Sequence, residues 1–189
     1  WFTAPVVAEE KVFMATLDED LKGEGAIIAL DVQTGKQLWR YSVRNSVKNR
    51  IAYENHTVFA QDAEGYLYAV DTETGSLKWE KKMKVDGLPS IIEGVTVADG
   101  KLYAGTGKAF GAYDIQTGEA IWLNEGWRQN QGATSSPVLA GDVAVTGTQW
   151  SGLYGNDRNT GKLLWRKEES DIRERGASPA YVDGLLYLA

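Results

Sequence analysis

The chain contains no cysteine and a single histidine. Without thiols it can form no disulfide, no thiolate nucleophile and no cysteine-ligated metal centre. With one imidazole a zinc site lacks its usual nitrogen ligands, and a Ser–His triad would rest on His56 alone. Positive charge is also in deficit, since 20 Lys and Arg stand against 26 Asp and Glu for a formal charge of −6. That balance provides no basic stripe to displace counterions from phosphates, so no nucleic-acid partner is expected. No apolar run approaches the roughly 18 residues of a membrane-spanning helix, so no membrane insertion is expected. The start, Trp1-Phe-Thr-Ala-Pro5, has neither the charged opening nor the apolar core of a secretion signal, and no initiating Met. It reads as a piece excised from a longer protein whose targeting signal lies elsewhere. What is present, 43% hydrophobic residues in a chain of 189, is enough for an ordinary packed core.

Against these absences one motif is written four times. Asp31-Val-Gln-Thr-Gly-Lys-Gln-Leu-Trp39 recurs as Asp71-Thr-Glu-Thr-Gly-Ser-Leu-Lys-Trp79, Asp114-Ile-Gln-Thr-Gly-Glu-Ala-Ile-Trp122 and Asp157-Arg-Asn-Thr-Gly-Lys-Leu-Leu-Trp165. The Trp positions advance by 40, 43 and 43 residues, the period of a repeat architecture. Before each Asp lies a short aromatic or β-branched run, namely 26–30, 66–70, 109–113 and 152–156, which reads as a strand. The Asp-x-x-Thr-Gly link then leads into a second strand ending in Trp. Gly35, Gly75, Gly118 and Gly161 supply the positive φ such a hairpin needs, and the Asp carboxylate can accept N–H groups two or three residues on. A further strand pair precedes each hairpin: 4–7 with 12–15, 49–52 with 57–60, 90–97 with 101–105, and 136–139 with 143–146. Each repeat is therefore a four-stranded antiparallel meander, with strands A to D in chain order. Blades are expected over about 4–43, 50–83, 89–124 and 133–167. Residues 177–189 match 3–15 and begin a fifth.

Two residues before each Asp stands a small one: Ala29, Ala69, Ala112 or Gly155. Something bulky must lie over that strand, and the repeated Trp, burying roughly 200 Å², is the candidate, packed between neighbouring sheets. Four-stranded sheets at this period with almost no helical pattern give an all-β fold, a β-propeller segment of four four-stranded antiparallel blades plus the first two strands of a fifth. The motif Ala69-Val-Asp-Thr-Glu-Thr-Gly-Ser-Leu-Lys-Trp79 resembles the repeat of the PQQ-like propellers. That family includes quinoprotein alcohol dehydrogenases, an outer-membrane assembly scaffold and accessory propellers. The resemblance covers the whole chain, and the fourth copy departs from it at Gly155-Asn156. It implies an extracytoplasmic, periplasmic bacterial location. It also implies closure with about seven or eight blades, so that the wedge's open edges favour self-association.

For chemistry the resemblance implies the fold rather than the quinone. The dehydrogenases use a vicinal Cys pair, which is missing here, and no Glu, Asn and Asp metal set stands out. Calcium stays open at Asp18-Glu-Asp20 with Glu24, although the spacing is not that of a dedicated calcium loop. His56 aligns with Gly100 in an A–B turn, away from any cleft. In a propeller the D–A and B–C links share one face, and here they carry the unusual residues. Asn45, Lys48, Asn49, Gln61, Asp62, Trp127, Arg128, Gln149, Trp150, Arg173 and Arg175 are the candidate binding face, because Arg, Trp, Asn and Gln on loops over a rigid scaffold make recognition sites. Trp127 and Trp150 fall outside the Trp repeat. The expected role is a non-catalytic interaction or ligand-sensing module meeting a protein partner or the missing part of the same chain. Asn45-Ser-Val-Lys-Asn49 with Phe59-Ala-Gln-Asp62 resembles propellers joined to bacterial metallophosphoesterases, and similar ones accompany kinase domains. The alternatives are a fragment of a quinone-dependent dehydrogenase and a periplasmic scaffold.

Overall fold

The computed structural model describes residues 3–18, 20–83, 94–105, 110–124, 136–148, 152–167 and 178–187. All regular structure among them is β-strand. Blade one comprises β1 (Val6–Ala8), β2 (Lys11–Ala15), β3 (Ala26–Asp31) and β4 (Gln37–Ser42). Blade two comprises β5 (Ala52–Glu54), β6 (Thr57–Gln61), β7 (Tyr66–Asp71) and β8 (Leu77–Lys82). Blade three comprises β9 (Thr96–Ala98), β10 (Lys101–Gly105), β11 (Phe110–Asp114) and β12 (Ala120–Asn124). Blade four comprises β13 (Val138–Ala140), β14 (Val143–Thr148), β15 (Gly152–Asp157) and β16 (Leu163–Lys167). A two-stranded sheet, β17 (Ala180–Val182) and β18 (Leu185–Tyr187), follows. Every sheet is an antiparallel meander in chain order, as a β-propeller segment requires.

The innermost strands are shorter than their sequence pattern suggests. β1 and β13 begin after Pro5 and Pro137, which lack the N–H a ladder uses. The residues ahead of these strands bond across blades instead: Val95 N–H donates to the Arg50 carbonyl at 3.0 Å, and Thr96 Oγ1 lies 2.5 Å from the Pro137 carbonyl. The A–B turns of blades one to three pair two residues with positive φ, Glu9 and Glu10, Asn55 and His56, and Asp99 and Gly100, while in blade four Gly141 alone adopts it. These are the left-handed positions of tight hairpins.

The Asp-x-x-Thr-Gly turn is built alike in all four blades. In blade two the Asp71 Oδ1 accepts from the N–H groups of Glu73 and Thr74 and from the Thr74 hydroxyl, at 2.9–3.1 Å. The Gly75 N–H closes back on the Asp71 carbonyl at 2.9 Å. These donors favour the ionised carboxylate. The Thr74 N–H is the largest of them at Asp71, followed by the Thr74 hydroxyl and Lys78, and its pKa is held down to about 2. Asp31, Asp114 and Asp157 are lowered by the same threonine contacts.

Each C–D pair also carries a bulge at one fixed place. In blade one Leu30 lies opposite Gln37 while Ala29 lies opposite Trp39, so Leu38 is the extra residue. The bulge turns Leu38 outward, where it is exposed, and aims the indole at the alanine side of the sheet. Across that face three residues line up on strands B, C and D. Phe13, Ala29 and Trp39 form the first line, Phe59, Ala69 and Trp79 the second, and Tyr103, Ala112 and Trp122 the third. The small middle residue lets the outer two rings meet over it, with centroids 5.9, 6.0 and 6.3 Å apart.

The same indoles lock each sheet to the next. Trp39 Nε1 donates to the Thr72 carbonyl at 2.9 Å, Trp79 to Ile115 at 2.8 Å and Trp122 to Arg158 at 3.0 Å. Each acceptor is the residue after the repeated Asp in the following blade. Beneath the indoles lie the turn glycines. A Cβ at Gly75, Gly118 or Gly161 would sit 2.8, 2.7 or 2.4 Å from the preceding blade's Trp ring, whereas at Gly35 it would meet nothing within 4 Å. Two separate demands, positive φ and no side chain, therefore select the same residue. The apolar core sits between consecutive sheets as three clusters, one per junction.

Gly118→Ala is therefore expected to cost more than Gly35→Ala. Both adopt positive φ at roughly 1 kcal/mol, and only the former forces a ring from its seat, adding roughly 1–3 kcal/mol. Urea unfolding of the two variants measures the gap, and equal costs would show that the ring contact contributes nothing. The lowered carboxylates set a pH dependence. Their stabilisation is complete above the ordinary pKa of 3.8 and is lost as pH falls towards about 2 at Asp71. The urea midpoint should fall through that window, less steeply in Asp71→Asn. A slope unchanged by the substitution would remove the turn carboxylate from the account.

Candidate interaction face

The D–A and B–C links meet on one face, and the described part of it is the segment from Arg44 to Arg50 with the loops it crosses. This strap is sewn to both neighbouring blades. The Val47 N–H donates to the Thr16 carbonyl at 3.2 Å, the Asp18 N–H to the Ser46 hydroxyl at 2.7 Å, and the Ala63 N–H to the Ser46 carbonyl at 2.8 Å. Gly25 permits the approach, since a Cβ there would sit 2.7 Å from the Asn45 carbonyl oxygen. Ser46 and Val47 are buried, which leaves the flanking side chains to face outward.

Of the residues expected on this face, Asn45, Lys48 and Asn49 are half-buried on the strap. Asn45 Nδ2 donates to Glu64 Oε1 at 3.0 Å, and Asn49 Oδ1 accepts the Arg50 N–H at 2.7 Å. Gln61 and Asp62 are not presented to solvent, a correction to the sequence reading. Gln61 is buried and its Nε2 donates to the Gly105 carbonyl of blade three at 2.7 Å. Asp62 is fully buried, and its carboxylate accepts from the N–H groups of Glu64 and Tyr66 and from the Tyr68 hydroxyl, at 2.8–2.9 Å. Burial pushes the Asp62 pKa up, and burial likewise raises that of the Tyr68 phenol. Short loops that carry their own backbone must satisfy it, and these two polar residues do so from inside. Trp127, Arg128, Gln149, Trp150, Arg173 and Arg175 lie outside the described residues.

One grouping on this face is not legible from sequence. Tyr66, at the start of β7, has the Arg44 guanidinium 4.6 Å and the Lys82 ammonium 4.1 Å from its ring centroid. Arg44 also pairs with Glu80 at 2.8 Å. The ring's negative face attracts each cation separately, so the tyrosine gathers two positive charges at one place. These residues come from the D–A link, the start of strand C and the end of strand D, so only the meander brings them together.

Asp18 directs its carboxylate into its own loop, accepting from the N–H groups of Lys22 and Gly23 at 2.8 Å each. His56 is exposed in its A–B turn on the opposite face and pairs with Glu9. Among the described residues no three His, Asp or Glu side chains converge as metal ligands do. Among the described residues no helix is long and apolar enough to cross a membrane.

Comparison with known proteins fits this geometry. The family described as outer membrane protein assembly factor BamB matches residues 2–188. BamB of Burkholderia pseudomallei is 28% identical over 199 residues, covering 93% of this chain and 47% of that protein. Quinoprotein ethanol dehydrogenase of Pseudomonas aeruginosa is 29% identical over 162 residues, covering 72% of this chain and 25% of that one. The crystal structure of BamB from Moraxella catarrhalis superposes with a TM-score of 0.76 at 17% identity, over 98% of this chain and 53% of that one. The chain thus spans about half the length of the BamB proteins it matches. It belongs to the BamB family of PQQ-like β-propellers.

Proposed function

We propose that the chain is the interaction-bearing part of a non-catalytic scaffold propeller of the bacterial envelope, which holds a polypeptide of the outer-membrane assembly apparatus on its D–A/B–C face. The observation that carries this reading is the Arg44–Arg50 strap, fixed by backbone bonds to both neighbouring blades and carrying Arg44, which with Lys82 lies over the ring of Tyr66 on β7. A preorganised loop loses little entropy on binding, and Arg and Tyr are the side chains that most often anchor protein interfaces. The opposite face consists of tight turns whose polar groups are used internally. Membership of the BamB family favours the envelope reading, and the proposed location is accordingly extracytoplasmic.

The accessory reading, in which the propeller serves a metallophosphoesterase or kinase domain, rested on residues 45–49 and 59–62. Their polar atoms have structural work here, in the bonds of Ser46, Gln61 and Asp62, so they argue less for that linkage. A dehydrogenase fragment is disfavoured by the absent Cys pair. We propose that this segment takes neither quinone nor calcium.

A photo-crosslinking residue at Lys48 should capture an envelope polypeptide from a Gram-negative envelope extract. The same residue at Lys36, in the C–D turn of the other face, should not. Equal capture at both positions, or capture at Lys36 alone, would place the interface elsewhere.

A further inference from the structure

The two faces of the propeller use their charges differently. On the turn face four cations are matched to carboxylates within or across blades: Lys11 with Glu73 at 2.8 Å, Lys78 with Asp71 at 3.3 Å, Arg158 with Asp99 at 2.7 Å, and Lys81 with Glu119. On the strap face the balance is lopsided. Arg44-Asn-Ser-Val-Lys-Asn-Arg50 carries three cations and no acid, and Lys82 stands beside it. Of these four only Arg44 has a carboxylate partner among the described residues, Glu80. Lys82 donates to the Glu64 backbone carbonyl, which leaves its charge uncompensated. The Arg44 guanidinium is held at both ends of its residue. Its backbone N–H donates to the Tyr68 hydroxyl at 3.2 Å, and that hydroxyl is itself fixed by donating to the buried Asp62 at 2.8 Å. Its Nε and Nη2 both rest on one oxygen of Glu80, at 3.2 and 2.8 Å, and Nη1 makes no hydrogen bond among the described residues. The side chain is nevertheless 55% exposed, so it is immobilised and accessible at once.

We infer that the strap recognises an acidic, extended segment of its polypeptide partner, whose carboxylates meet Lys48, Arg50 and Lys82 beside the fixed Arg44. This rests on the reading above that a polypeptide is held on this face, and it adds the chemistry of what is held. The cations are spread along seven residues rather than gathered at a point, which suits a strand of spaced carboxylates better than a single small anion. Charge complementarity also sets the register. With a formal charge of −6 the chain as a whole repels an acidic segment, and the strap offers it a local patch of the opposite sign. An arginine already positioned loses little freedom on binding and keeps an N–H to offer a carboxylate. Val47, the strap's one apolar side chain, is buried, so the strap has nothing to insert into a bilayer and a lipid surface is a poorer occupant.

The test is calorimetric titration of the chain with a synthetic dodecapeptide of alternating Glu and Ser, beside the same peptide with Gln in place of Glu. Saturable one-to-one binding is expected for the first and none for the second. Arg44→Gln together with Lys82→Gln should weaken binding about tenfold, the loss of two charge-assisted contacts. Lys48→Gln alone, at a side chain that makes no hydrogen bond within the fold, should weaken it about threefold, and Lys36→Gln on the other face should leave it unchanged. Equal binding of the two peptides, no binding of either, strap variants without effect, or equal binding to phosphatidylglycerol vesicles would each overturn the inference. Excess Glu–Ser peptide should also suppress photo-capture at position 48. Capture that persists in its presence would overturn the acidic segment and leave the polypeptide reading standing. Peptide binding without any capture would support the acidic preference and remove the envelope polypeptide.

Discussion

The hydrogen bond from the indoles of Trp39, Trp79 and Trp122 to the next blade's turn is the constraint on which the rest of the structure depends. It does two jobs that are separate in most sheet packings. Within a sheet, the Trp lies over a small residue and meets the aromatic ring on the B strand, closing one face of the core. Between sheets, its N–H fixes the position of a turn whose own shape is held by an aspartate and a threonine. Because the acceptor is a backbone carbonyl, the bond depends on the turn's conformation and not on the residue that provides it. Thr72, Ile115 and Arg158 serve equally well. That explains why the position after the repeated Asp varies freely while the Asp, Thr, Gly and Trp do not.

A lock of this kind places rigidity where function can use it. The turns on one face are largely consumed by the packing: the four repeated aspartates hold their own turns, and Gly75, Gly118 and Gly161 with the carbonyls of Thr72, Ile115 and Arg158 receive the indoles. The opposite face inherits a fixed frame with loops that need only satisfy their own backbones. The Arg44–Arg50 strap does so with Ser46, and the second B–C loop does so with Asp62. Proteins with different tasks can share the frame for this reason, since the repeated residues describe how sheets stack and say little about what the loops meet. The likeness to both an assembly factor and a quinoprotein dehydrogenase follows from the frame.

Sequence spacing exposed the parts of this design that recur. The Asp-to-Trp motif located the hairpins, the glycines announced positive φ, and the small residues at 29, 69, 112 and 155 marked the place beneath the indole. Three kinds of feature stayed hidden. The bulge at Leu38 and its counterparts leaves no trace in composition, because it is a property of pairing between strands. The buried state of Gln61 and Asp62 was invisible because polar side chains in a loop read as solvated, and only the folded backbone shows the groups they serve, the Gly105 carbonyl for Gln61 and the N–H groups of Glu64 and Tyr66 for Asp62. Tyr66 gained its two cations from segments 22 and 16 residues away, 44 and 82, which no local pattern connects.

Identical locks repeated along a chain raise a problem of their own, since any turn could in principle accept any indole. The structure resolves it two residues after each Trp, where the junctions differ in chemistry. After Trp39 stands Tyr41, whose ring meets Tyr68 edge-on at 6.2 Å. After Trp79 stands Lys81, which pairs with Glu119 and lays its stem against Gly118. After Trp122 stands Asn124, whose Nδ2 donates to the Asn156 side chain at 2.7 Å and to the Gly161 carbonyl at 3.1 Å. Asn156 is fully buried and stands where the other blades have Leu30, Val70 and Tyr113. Asn124 satisfies the Asn156 Oδ1, while the Asn156 Nδ2 meets no acceptor among the described residues; loss of the oxygen's partner as well would cost about 1–3 kcal/mol. Placing blade four after blade one or blade two would exchange Asn124, whose amide spans Asn156 and Gly161 together, for Tyr41 or Lys81, and the second exchange would also leave the Lys81–Glu119 pair unmade. The shared lock gives the sheets their affinity for one another, and the unshared neighbour two residues on gives them their order.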